Sequence, residues 1–80
     1  MAQTISVAIA HFPDRGHAIE GLARRDEDFR ALCSDLAEAD AALAQWQHSS
    51  SPVKQARCAE YRDLVRYLVA ELEAILDLNR

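Results

Sequence analysis

The chain has 80 residues, a formal charge of −4 and a pI near 5.2. That length holds one domain with a small core of its own, and the acidic balance argues against a general phosphate-binding surface. No apolar run approaches the about 20 residues of a membrane span, and no basic segment leads into a long apolar run at the amino terminus, so a cytoplasmic protein is expected.

Half of the residues are apolar, mainly Ala, Leu and Val, and only five are aromatic, which favours helix over sheet. Residues 1–11 form the least defined stretch. Ile5, Val7 and Ile9 alternate with Ser6, Ala8 and Ala10, a pattern that suits a short extended segment, a frayed helix or a mobile or weakly docked arm; an amino-terminal arm is the expectation. Residues 12–80 read as the folded domain. Pro13, tolerated in a first helical turn, and the acidic Asp14 open a helix near residue 14.

The first helix is expected over about 14–47. Gly16 and Gly21 weaken its opening turns, so a short extra helix with a bend before Asp26 fits, followed by a stronger helix to Gln47. Leu22, Phe29, Leu36 and Leu43 recur every seven residues, and Leu32 and Trp46 complete one apolar face. Asp28, Arg30, Asp35, Glu38 and Gln45 occupy the opposite side. Residues 48–51 form a polar turn. Ser51 as N-cap and Pro52 at the first helical position start a second helix over about 52–77.

Its apolar stripe, with Tyr61, Leu64, Leu68, Leu72 and Ile75, is wider than one neighbour requires. The expected fold is therefore all-α: an antiparallel two-helix hairpin of coiled-coil character that assembles into a helical bundle. Lys54, Arg57, Arg62 and Arg66 make the second helix basic early, while Glu71, Glu73 and Asp77 make it acidic late, the reverse of the helix dipole's preference. A fold-back near residue 49 would set Asp35, Glu38 and Asp40 against the basic half and Arg24, Arg25 and Arg30 against the acidic half. Two rods alone hide too little apolar surface, so a homodimer or higher bundle of hairpins is expected.

The order Phe12-Pro13, then Ile19, Leu22, Asp26, Phe29, Leu32 and the acidic region at Glu38, a polar turn and the segment Lys54 to Leu76 resembles the YdcH-like family of small bacterial proteins of uncharacterised function. The resemblance covers nearly the whole chain after residue 11 and rests most on the Asp-x-x-Phe-x-x-Leu run at Asp26, Phe29 and Leu32. It implies a helical hairpin and brings no catalytic residue. The basic character of residues 53–58 is thinner than is usual in that family, which weakens any inference about an anionic partner.

Candidate chemistry is sparse. His11, His17, His48, Cys33 and Cys58 show no metal-ligand spacing, and neither a metal nor a cofactor is expected. Cys33 and Cys58 would lie roughly 12 Å apart along an antiparallel pair, too far for an intrachain disulfide, so two free thiols are expected. Acidic residues at Asp26, Glu27 and Asp28 cap or solvate a helix start. The expected function is non-enzymatic: a self-associating protein–protein interaction module, packed through Leu22, Phe29, Leu32, Leu36, Leu43, Trp46, Tyr61, Leu64, Leu68, Leu72 and Ile75, that offers a helical face to an unidentified protein. The alternative is a small nucleic-acid-associated protein using the stripe Lys54, Arg57, Arg62 and Arg66.

Overall fold

A computed structural model describes residues 2–79, with side chains described from residue 4. The described chain is all-helical: α1 (Ala2–His11), a 3₁₀ turn (Pro13–Arg15), α2 (Gly16–Arg25), α3 (Glu27–Gln47) and α4 (Lys54–Leu78). The described residues thus form a four-helix unit rather than a bare pair of rods.

Residues 2–11 differ most from expectation. They form α1, packed on α3, with Ala8 wholly buried and Ile5, Val7, Ile9 and Phe12 resting against the core. Ile5, Ala8, Ile9 and Phe12 follow the three- and four-residue spacing of one helix face, a period that the alternation of Ile5, Val7 and Ile9 masks. Burial against α3 decides between the two. Proline then ends α1: Phe12 N–H donates to the carbonyls of Ala8 and Ile9 at 3.1 Å, and Pro13 opens the 3₁₀ turn. A Cβ at Gly16 would lie 3.8 Å from Ile9 Cγ2, which shows how closely the start of α2 approaches α1.

Asp26 alone joins α2 to α3. Its extended backbone (φ −130°, ψ 107°) stops one helix and starts the next. Its N–H donates to Leu22 O at 2.8 Å, its carbonyl accepts from Arg30 N–H at 3.1 Å, and its carboxylate accepts from Phe29 N–H at 3.1 Å. The flanking charges favour a break here, since Arg24 and Arg25 lie at the negative end of the α2 dipole while Glu27 and Asp28 lie at the positive end of α3. Arg30 completes the corner by donating to Ala23 O, one of the carbonyls that the end of α2 leaves unpaired.

Residues 48–53 link α3 to α4, which returns along it: Gln47 shares a groove with Lys54 and Gln55, and Asp35 shares another with Leu68. Two serines close the turn. Ser49 Oγ accepts from Ser51 N–H at 3.0 Å and Ser51 Oγ accepts from Val53 N–H at 3.2 Å. Ser51 therefore caps a turn in which Pro52 and Val53 precede α4, and the regular helix opens at Lys54 rather than at Pro52.

The core lies where all four helices converge. Ile19, Phe29, Cys33, Leu36, Leu72 and Leu76 are almost fully buried, joined by Ala8, Leu22, Ala23, Ala39 and Leu68. Some of the cover expected from a second copy is thus supplied by α1 and α2. The unit measures 43 × 22 × 21 Å.

The charge pattern is resolved differently from the expected cross-helix ladder. Arg57 pairs with Glu60 at 2.6 Å and Arg66 with Asp63 at 3.1 Å, both one turn away on α4 itself. Between elements, His11 meets Asp40 at 3.1 Å and Arg15 meets Asp77 at 2.9 Å. A neighbour three residues off on the same helix is held close by the backbone, so these long side chains find it before a carboxylate on another rod.

Candidate interaction surface

The packing residues named from the sequence fall into three groups. Leu22, Phe29, Leu36, Leu68 and Leu72 are buried; Leu32, Leu43, Trp46, Tyr61 and Ile75 are half-buried; Leu64 remains 42% exposed and lies on the surface. Ile19, Cys33 and Leu76 belong to the core as well, and their three- and four-residue spacing to Leu22, Leu36 and Leu72 is the signal that reveals them.

Exposure of apolar side chains is concentrated on one element. Val53 (44%), Leu64 (42%), Tyr67 (61%) and Leu78 (85%) are the exposed large hydrophobic residues among those described, and all belong to α4 or its N-cap. At 100° per residue they fall within about 60° of one another around the helix. They therefore form one line along α4, away from the buried row Leu68, Leu72 and Leu76. Tyr67 and Leu78 are the members that the sequence reading did not single out.

Open grooves run between the described helices, and three of them bear on an interaction surface. The first, about 410 Å³, is lined by Asp35, Glu38, Ala39, Ala42, Tyr61, Leu64 and Leu68, so it borders the exposed line and carries two carboxylates on its α3 side. A second, about 480 Å³, lies between Thr4 and Ile5 of α1, Ala23 and Arg24 of α2, and Arg30, Cys33 and Ser34 of α3. The third, about 470 Å³, is lined by Gln47, Lys54, Gln55 and Arg62 together with the buried Cys58.

Of the four cations in the basic stripe, Arg57 and Arg66 are engaged by Glu60 and Asp63, while Lys54 and Arg62 share the third groove. The stripe is thus interrupted by its own carboxylates. Among the described residues no group of His, Cys, Asp and Glu has the arrangement of a metal site. Both cysteines are free and buried, and burial pushes the Cys33 thiol up to about 11, which keeps it protonated and unreactive near neutral pH.

Comparison of the chain with protein-family models, with curated proteins and with solved structures finds no match. No described helix is long and apolar enough to cross a membrane.

Proposed function

We propose that this chain is a non-enzymatic interaction module that associates with itself through an exposed helical face and offers a helical surface to another protein. The observation that carries the reading is the gathering of Val53, Leu64, Tyr67 and Leu78 on one line of one helix. Apolar side chains scattered singly over a surface require no partner, whereas exposed apolar side chains aligned on one face of one helix, with Arg57, Glu60 and Glu71 between them, are the pattern of a face that docks. In this reading α3 and α4 form the working hairpin, α1 and α2 cover its inner face, and the protein acts in the cytoplasm. The resemblance to the YdcH-like family agrees with such a hairpin and adds no activity.

Sedimentation velocity from low-micromolar to near-millimolar protein tests the proposal. The expected result is a mass that rises from that of the 8.9 kDa chain toward twice that value. A single monomeric species throughout overturns self-association.

A second reading, nucleic-acid binding, draws on Lys54 and Arg62, which share a groove with no carboxylate among its lining residues. It ranks lower because Arg57 and Arg66 already hold carboxylates. Titration of single- and double-stranded DNA and RNA at low salt, with Lys54→Ala plus Arg62→Ala as the control, discriminates the two readings.

A further inference from the structure

The outer face of α4 carries a heptad pattern distinct from the one that builds the core. Leu64 and Leu78 stand two heptads apart on one seam, and Val53 and Tyr67 stand two heptads apart on the seam beside it. Arg57 and Glu71 fill the remaining places of the first seam, Glu60 and Ala74 those of the second, and every one of these positions is exposed. Two adjacent seams with this spacing are the contact positions of a helix that pairs with another helix.

The pattern is also symmetric end to end. Val53 lies as far before the point between Val65 and Arg66 as Leu78 lies after it, and Leu64 and Tyr67 flank the same point. Rotating α4 about a two-fold axis through that point sets Leu64 against Tyr67 of the second copy and Val53 against Leu78 of the second copy, each contact occurring twice. That is the self-complementarity of an isologous interface. The geometry points to α4 of a second copy, running antiparallel, as the occupant of this face. The inference rests on the self-association proposed above and names its surface, direction and register.

Charge favours the same direction. A parallel pair would set Arg57 against Arg57, Glu60 against Glu60 and Glu71 against Glu71. In the antiparallel pair Arg57 faces Ala74 of the second copy, within one turn of that copy's Glu71, while it holds its own Glu60 at 2.6 Å. Glu60 meets Glu71 of the second copy in two symmetric layers, and each arginine stands beside one of them. The charge order of α4, basic early and acidic late against its own dipole, brings opposite halves together when two copies run in opposite directions. The polar layers at Arg57, Glu60 and Glu71 hold the register and loosen the dimer, so association depends on concentration.

Two measurements on the full chain test the pairing. Nitroxide labels at Ala56→Cys or Ala70→Cys, in a Cys33→Ala, Cys58→Ala background of checked helicity, give inter-copy distances by pulsed electron resonance. Along the axis the labels should be separated by about 28 Å at 56 and about 13 Å at 70. A parallel pair would make the two distances equal. In sedimentation, Leu64→Glu with Tyr67→Glu should weaken the dimer at least about tenfold, and Glu60→Leu with Glu71→Leu should tighten it at least about tenfold. All four positions are exposed, so neither double variant should lose helicity. A wild-type monomer at every concentration overturns the parent reading. A dimer with equal label distances, or with an affinity that neither double variant moves, overturns the antiparallel α4 pairing and leaves self-association standing.

Discussion

Arg15, in the 3₁₀ turn between α1 and α2, donates from Nη1 to Asp77 Oδ1 at 2.9 Å, a contact between residues 62 positions apart. It ties the amino-terminal pair of helices to the last turns of α4. Arg15 is about three-quarters buried while Asp77 is half exposed, so the pair behaves largely as a surface ion pair. Arg15→Met should cost about 0.2–1 kcal/mol in urea denaturation at low salt. The difference should shrink as salt is raised, and a salt-independent loss would assign it to packing of the arginine stem instead.

Asp26 should be more costly to replace. Asp26→Ala removes the side-chain acceptor of Phe29 N–H at the start of α3, with an expected loss of about 0.5–2 kcal/mol. Asp26→Asn or Asp26→Ser should recover most of it. Equal losses for all three variants in chemical denaturation would show that the cap contributes little.

Gly21 offers the opposite sign. It lies inside α2 without a positive φ, and an added Cβ would meet only the tip of Arg25, at 3.6 Å. Gly21→Ala should therefore stabilise the fold by about 0.4–1 kcal/mol through the smaller conformational freedom of the unfolded chain. A thermal or urea midpoint that fails to rise contradicts this.

The docking of α1 can be tested at Ala8, which is wholly buried. Ala8→Leu forces extra methyl groups into the contact with α3, and a loss of about 1–3 kcal/mol is expected. An arm lying loosely on the surface would accept the change at no cost, so an unaltered urea midpoint would contradict the close packing of α1.

Alkaline pH acts through Cys33. Its thiol is raised from 9.0 to about 11 by burial, so the folded protein binds this proton more tightly than the unfolded chain does. The associated stability is present below about 9.0 and is lost as pH climbs toward about 11. Over that window the urea midpoint of the protein should fall with pH, and Cys33→Ala should lack this part of the fall. At pH 8 a thiol reagent should label Cys33 only after denaturant is added.

The long helices were legible because Phe29, Leu32, Leu36, Ala39 and Leu43, and again Leu68, Leu72 and Ile75, repeat at three and four residues, a period that only one backbone shape turns into a continuous face. The break at Asp26 could be anticipated from the glycines before it and the acidic residues around it. The amino-terminal helix was obscured because Ile5, Val7 and Ile9 satisfy a two-residue period while Ile5, Ala8, Ile9 and Phe12 satisfy a helical face, and only the presence of α3 decides. Leu64 belongs to the expected hairpin or oligomer packing set and is exposed within the single chain, because a wide apolar stripe does not reveal where the chain's own neighbour ends and a partner's surface would begin. The ionic register was misread for a different reason: net charge along a rod does not register that Glu60 and Asp63 stand one turn from Arg57 and Arg66.

With no spacer between α2 and α3, the corner at Asp26 acts as an indexed joint. One residue inserted there would change both the distance and the direction in which α2 leaves α3, carrying Ile19 and Leu22 off the core and Arg15 away from Asp77. The amino-terminal helices can thus drift in surface sequence yet tolerate no change in length at this point, and a shift of a single position would uncover the inner side of α4 along with the outer one.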